Sequence, residues 1–127
     1  MSLPHIYLSN AGLALAALAM VSILTCSGLA HGDEAGKQRL DRGKQLAMAR
    51  NKGNCLACHA IDDGEFPGNI GPPLMSMQVR FPDKAVLRAQ IWDATDRNPD
   101  THMPPFGRYG ILTDEEVDLI VDYIYTL

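Results

Sequence analysis

Apolar residues near the C-terminus recur with a helical period. Val117, Ile120, Val121 and Ile124 fall on one face, with Asp118 and Asp122 off it. Thr113 and Glu116 stand ahead of them at capping-box spacing, and Asp114 and Glu115 suit the positive end of a helix dipole. The pattern predicts a C-terminal helix. A second helix is expected over residues 83–95, with Asp83 as N-cap and Leu87, Ile91 and Ala94 at i, i+4 and i+7. Pro99 bars its continuation. A third, charge-rich helix is expected from residue 33 to about residue 51, where Leu40, Ala47 and Met48 make a partial apolar stripe. Gly36 and Gly43 interrupt it; Gly43 either admits a close neighbour or simply weakens the helix. Residues 52–80 and 101–109 read as loop, rich in Gly and Pro. No strand alternation and no internal repeat stand out, so the expected class is all-α.

The start of the chain follows a different pattern. No Lys, Arg, Asp or Glu precedes Asp33, and an apolar run covers residues 11–24. Its length suits a signal-peptide core, and Gly28 with Ala30 gives the small-x-small pattern of a cleavage site. Residues 1–30 are therefore expected to be a signal peptide, and residues 31–127 one domain. The competing reading is an uncleaved anchor, because residues 6–30 span a bilayer if tilted, and the positive n-region is weak. Cys26 raises the thought of a lipid-modified cysteine, but Thr25 before it is bulkier than such sites prefer.

All the charge thus lies in the remainder, with a net value of −4. That balance argues against nucleic-acid binding, which needs clustered Lys and Arg to displace phosphate counterions. Beyond residue 30 only two cysteines remain, Cys55 and Cys58.

Those two carry the chemistry. Cys55-Leu56-Ala57-Cys58-His59 is a C-x-x-C-H run, the attachment signature of c-type haem. Cysteines three apart each form a thioether with one haem vinyl group, and the adjacent histidine reaches the iron. Three other readings fit less well. A thioredoxin-like dithiol belongs in a βαβ setting, which is missing here. A zinc site needs four ligands, and His31 and His102 lack paired-ligand spacing. A disulfide between Cys55 and Cys58 leaves His59 unexplained.

A sixth iron ligand must come from elsewhere, and Met48, Met75, Met77, His102 and Met103 are the candidates. Met103 precedes Pro104 and Pro105, which stiffen the loop and bias Met103 toward an extended backbone. Met75 and Met77 follow His59 too closely to wrap easily to the opposite haem face, and His102 is the main rival. Gly71-Pro72 lies where a backbone carbonyl would orient the His59 imidazole, although a proline-stiffened loop explains it equally well. Trp92, Arg80 and Arg108 are possible contacts for haem propionates, but core packing for the first and solvation for the arginines are the simpler readings.

Together these residues resemble the class I cytochrome c family. Within it, the stretches 52–59, 67–74, 80–83, 103–107 and 123–127 resemble SoxX, the monohaem subunit of SoxAX cytochrome complexes. The resemblance implies a small helical fold around one covalent haem c, attached at Cys55 and Cys58, with His59 and Met103 as axial ligands and the Pro72 carbonyl supporting His59. It also implies a SoxA-type partner subunit with its own cysteine-ligated haem, in a heterodimer. Such a complex joins thiosulfate to a cysteine of the SoxYZ carrier and passes the electrons to a soluble cytochrome. The expected place is the periplasm.

The residues constrain that role independently. Once Cys55 and Cys58 are thioethers, the chain beyond Ala30 has no thiol to hold a sulfur intermediate. The chain is therefore expected to transfer electrons and not to perform sulfur transfer by itself. A generic periplasmic electron carrier is the alternative. A peroxidase-like reading is disfavoured, since a methionine ligand closes the position a substrate needs.

Overall fold

The computed structural model describes residues 27–62 and 64–127. Among the described residues four α-helices appear in order: α1 (Ser27–Met48), α2 (Met77–Arg80), α3 (Lys84–Trp92) and α4 (Asp114–Ile124), with short 3-10 turns at Cys55–Ala57 and Ala94–Asp96. Among the described residues there is no strand, only an isolated parallel bridge between Ile61 and Leu74. The fold is all-α, as the periodicity predicts. By its contacts the chain divides into a unit ending at Ala35 and a second unit, residues 36–127, which holds everything described below. The apolar run at residues 11–24 and Cys26, on which the signal-peptide, anchor and lipid readings largely rest, lie outside the described residues; Gly28 and Ala30 of the expected cleavage site fall within α1, which begins ahead of its expected start at residue 33. No helix among the described residues is long and apolar enough to cross a membrane.

α4 is the central element, and its sequence accounts for it fully. Thr113 Oγ1 accepts from the Glu116 backbone N–H at 3.2 Å, and Glu116 Oε2 accepts from the Thr113 N–H at 3.1 Å, closing the capping box. Its apolar face is buried: Val117, Ile120, Val121, Tyr123 and Ile124 are each at most 5% exposed. α3 packs on this helix, bringing Leu87 and Ile91 into the same core. Asp118 and Asp114 receive Arg88 from α3, at 2.6 and 2.7 Å. Asp122 takes both Arg39 from α1 and Lys84 from α3. The off-face carboxylates thus tie three helices together instead of merely facing water.

Gly43 explains how α1 reaches α4. A Cβ at that position would lie 2.1 Å from the Leu119 carbonyl oxygen and 2.9 Å from Tyr123 Cβ, so the two backbones touch there. This settles the alternatives the sequence left open: the glycine admits a close neighbour. Leu46 and Ala47 continue the buried stripe, and α1 ends earlier than expected because Gly53 and Asn54 fold back to the Leu46 and Ala49 carbonyls.

Two further boundaries differ from expectation. α3 stops at Trp92, because the Asp93 side chain accepts from the Thr95 N–H at 3.0 Å and turns the backbone out of the helix. α2 lies inside a stretch that reads as loop. Four residues are too few to show a period, and this turn is held by tertiary contacts, with the Met77 N–H donating to the Leu127 carbonyl at 2.8 Å.

Two outcomes follow. Gly43→Ala should destabilise the domain by about 1–3 kcal/mol, since something must shift at the helix contact. Gly36→Ala, which meets nothing within 4 Å, should be neutral or slightly stabilising. Chemical denaturation of the two variants checks this, and equal effects would refute the packing argument. The second outcome concerns acid. Burial works against the Asp122 carboxylate, but Lys84 and Arg39 outweigh it and hold its pKa below the ordinary value; Lys52 and then the Thr113 N–H lower that of Glu116. A lowered folded pKa contributes stability that is present above the unfolded range of about 4 and is lost as pH falls through the folded value. Denaturation curves at neutral pH and near pH 3 should therefore converge more in Asp122→Asn than in the parent protein.

Candidate functional site

A cavity of about 630 Å³ opens within residues 36–127 and is lined by residues between Gly53 and Ile124, with none from α1. Its walls are mainly apolar, with Leu87 and Ile91 from α3, Ile120 and Ile124 from α4, and Leu74, Phe106 and Leu112 from the loops. Cys55, Cys58, His59, Met103 and His102 all line it.

The C-x-x-C-H segment is shaped by local backbone chemistry. Asn54 adopts a left-handed conformation (φ 47°), which asparagine tolerates better than most residues. The chain then closes a tight turn, with the Cys58 and His59 N–H groups donating to the Cys55 carbonyl at 3.1 and 2.9 Å. Both cysteines are free thiols within the turn. Burial pushes the Cys55 thiol up to about 11. A thiol raised that far stays protonated near neutral pH, the opposite of what a redox-active dithiol relies on. Among the described residues no three His, Cys, Asp or Glu side chains group as a metal site.

Residues 68–74 run beside this segment and bond to it three times. Gly68, Gly71 and Leu74 donate their N–H groups to the Leu56, Cys58 and Ala60 carbonyls at 2.9, 2.8 and 2.9 Å. That register brings the Pro72 carbonyl within 2.7 Å of His59 Nδ1, where the imidazole N–H donates to it. Nε2 is then the nitrogen whose lone pair is available to a metal. Gly71 is needed for this approach, since a Cβ there would lie 2.3 Å from His59 Cε1 and 2.5 Å from Nδ1. Of the two readings of Gly71-Pro72, the orienting carbonyl is the one the geometry matches.

The candidate sixth ligands separate. Met48 and Met75 do not line the cavity; Met77, His102 and Met103 do. Met77 sits 1% exposed in α2, and its sulfur receives Arg80 Nη1 at 3.4 Å. His102 is exposed, whereas Met103 is partly buried and packs against the core. Gln90 Nε2 lies 4.0 Å from Met103 Sδ.

Sequence reasoning set Arg80, Trp92 and Arg108 aside together. Trp92 is half-buried and off the cavity, and Arg108 pairs with Asp93. Arg80 does line the cavity and donates to the Pro73 carbonyl at 2.7 Å. A signal was available, because Arg80 ends a run, residues 66–79, that holds no charged side chain. Gln90 was missed altogether; it is one polar residue among the apolar positions of α3, and that break in the pattern is its only mark.

Paired thiols, a histidine with one nitrogen committed to a carbonyl, and a thioether in one apolar cavity are the donors a c-type haem needs, and these residues fit it. Residues 40–127 match the family model for cytochrome c, and the chain belongs to that family. Membership brings covalently bound haem c and electron transfer.

Among solved structures, the chain is similar to the crystal structure of SoxXA from P. pantotrophus. The identity is 29%, the TM-score 0.61, and the match covers 68% of this chain and 79% of that one. The chain is thus a SoxX-like cytochrome c, as the sequence motifs imply. A curated relative, an uncharacterized lipoprotein of Aquifex aeolicus (strain VF5), is 37% identical over 75 residues, 58% of this chain. The match spans only 36% of that relative's length.

Replacing Gly71 with valine should drive a side chain into the His59 ring. We expect a severalfold lower yield of haem-bearing protein from Gly71→Val, read by haem staining of denaturing gels. Unchanged yield with an unchanged low-spin spectrum would show that the ring does not depend on this approach.

Proposed function

We propose that this chain is the electron-accepting subunit of a SoxAX-like complex and carries one haem c. Cys55 and Cys58 provide the thioethers, and His59 and Met103 are the axial ligands. The observation that carries the reading is the convergence of these four residues on one cavity, with His59 already oriented by Pro72. When bound, the haem supplies a single iron that cycles between ferric and ferrous states. The protein's part would be to hold the His59 ring at one tautomer and angle and to offer the Met103 thioether, a soft donor that would favour the ferrous state.

The likeness to SoxXA supports a SoxA-type partner in a heterodimer. In that assembly thiosulfate is joined to a cysteine of the SoxYZ carrier, the reaction of an L-cysteine S-thiosulfotransferase. The two electrons released pass through this chain, one at a time, to a soluble cytochrome. Sulfur transfer belongs to the partner, because beyond Ala30 the only cysteines are the two that bind haem. Residues 1–30 direct export to the periplasm, where the haem is attached, and are then removed.

The test uses the purified chain, the partner subunit and their mixture, each with thiosulfate, the carrier protein and an electron acceptor. Turnover is expected from the mixture. Turnover by this chain alone would overturn the assignment, and a chain that forms no stable association with the partner is a generic carrier.

A further inference from the structure

Asp93 is the one buried charged residue among the described residues, 4% exposed. It caps the 3-10 turn that follows α3, which accounts for an acid at this position but not for its burial. Its contacts show what it does. The carboxylate accepts from the Thr95 N–H at 3.0 Å and the Thr95 hydroxyl at 2.5 Å, which fixes its orientation. Its other oxygen receives Arg108 Nη1 at 2.9 Å.

Arg108 closes the loop that presents Met103. At its start, the Asn98 N–H donates to the Ala94 carbonyl at 3.1 Å. At its end, the Gly107 and Arg108 N–H groups both reach the Trp92 carbonyl, at 3.0 and 3.3 Å. Both ends of residues 98–108 are therefore fastened to residues 92–94, next to Asp93. Between those ends the bonds are mostly local: the Thr101 N–H donates to the Asn98 carbonyl at 3.1 Å, and the Pro105 and Phe106 carbonyls accept from the Tyr109 and Leu112 N–H groups, both at 3.0 Å. Pro104 and Pro105 have no N–H to donate, and the Met103 N–H goes to Thr101 Oγ1, within the loop, at 3.1 Å.

We propose that the Asp93–Arg108 ion pair is the latch of this loop, and that these two positioning residues set how firmly Met103 is held at the sixth coordination position. The inference rests on the reading of Met103 as axial ligand. A stable loop keeps the sulfur in place in both oxidation states. Loosening the latch raises the population of loop conformations in which the sulfur has left, and an added ligand then competes more successfully.

The experiment uses the full-length protein after export and haem attachment. The variants are Asp93→Asn, Arg108→Gln and Arg108→Lys, with Val121→Ala as a control. Val121 is a buried α4 residue that does not line the cavity. Three quantities are read: the far-red sulfur-to-iron band of the oxidised protein, the affinity for imidazole, and the thermal midpoint. Asp93→Asn and Arg108→Gln should weaken the band and bind imidazole roughly tenfold more tightly. Arg108→Lys, which keeps the charge, should recover most of the loss. Val121→Ala should lower the thermal midpoint and leave imidazole affinity unchanged. The latch is refuted if the first two variants lower only the thermal midpoint, or shift imidazole affinity no more than the control. Should Asp93→Asn fail to mature, Arg108→Gln decides, since Arg108 is about half exposed. A parent protein without the far-red band would instead remove Met103 as the ligand, an outcome distinct from a band that is present and unmoved.

Discussion

His59 has two ring nitrogens, and a metal site works only if the right one is free at a fixed angle. Here the 2.7 Å hydrogen bond to the Pro72 carbonyl makes that choice. The bond in turn depends on register: Gly68, Gly71 and Leu74 bond to alternate carbonyls of the segment from Leu56 to Ala60. A slip by one residue would carry Pro72 away and put a different carbonyl, or none, against the ring. The close pass of the Gly71 backbone over the imidazole completes the constraint, because any side chain there would occupy the ring's own space. The remainder of the domain can be understood as support for this alignment, with α3 and α4 forming the apolar wall it faces.

The two sides of the cavity are held by different physics. Around His59 the support is backbone hydrogen bonding between neighbouring segments, which is insensitive to side-chain identity apart from the glycine. Around Met103 the loop carries two prolines and few N–H donors, so its ends must be fixed instead. They are fixed on Trp92 at the end of α3 and on Ala94 in the turn after it, beside a buried carboxylate that pairs with a half-exposed arginine. On the proposed reading of Met103, a stiff loop limits the movement that accompanies a change of iron charge, and small movement is what an electron carrier needs.

Much of this was legible in the sequence because the relevant signals are local. Thr113, Glu116 and the face from Val117 to Ile124 specify α4 with no help from elsewhere, and the observed capping box follows them residue for residue. Cys55, Cys58 and His59 stood out by their spacing alone, and all three line the cavity. What escaped depends on contacts between distant positions. α2 exists because Met77 meets the chain end at Leu127, and Asp93 ends α3 through a side-chain turn that competes with one more helical turn. Gly43 looked ambiguous because a glycine in a helix has the same appearance whether it is a weakness or a contact point; only the position of Leu119 distinguishes them. Gln90 was overlooked and Arg80 weighed but set aside for a related reason, since each reaches the cavity from an element whose pattern concerns the core.

On the proposed reading, the same features that suit this domain to electron transfer exclude it from sulfur chemistry. A reaction at iron needs a coordination position that opens, whereas rapid electron exchange needs one that stays filled in both oxidation states. A reaction at sulfur needs a free thiolate, whereas on this reading Cys55 and Cys58 are both consumed as thioethers. One haem in a domain of this size cannot meet both sets of demands. Separating them between two subunits lets each coordination sphere be built for one task, and the cost is that the two must be held together at a fixed distance.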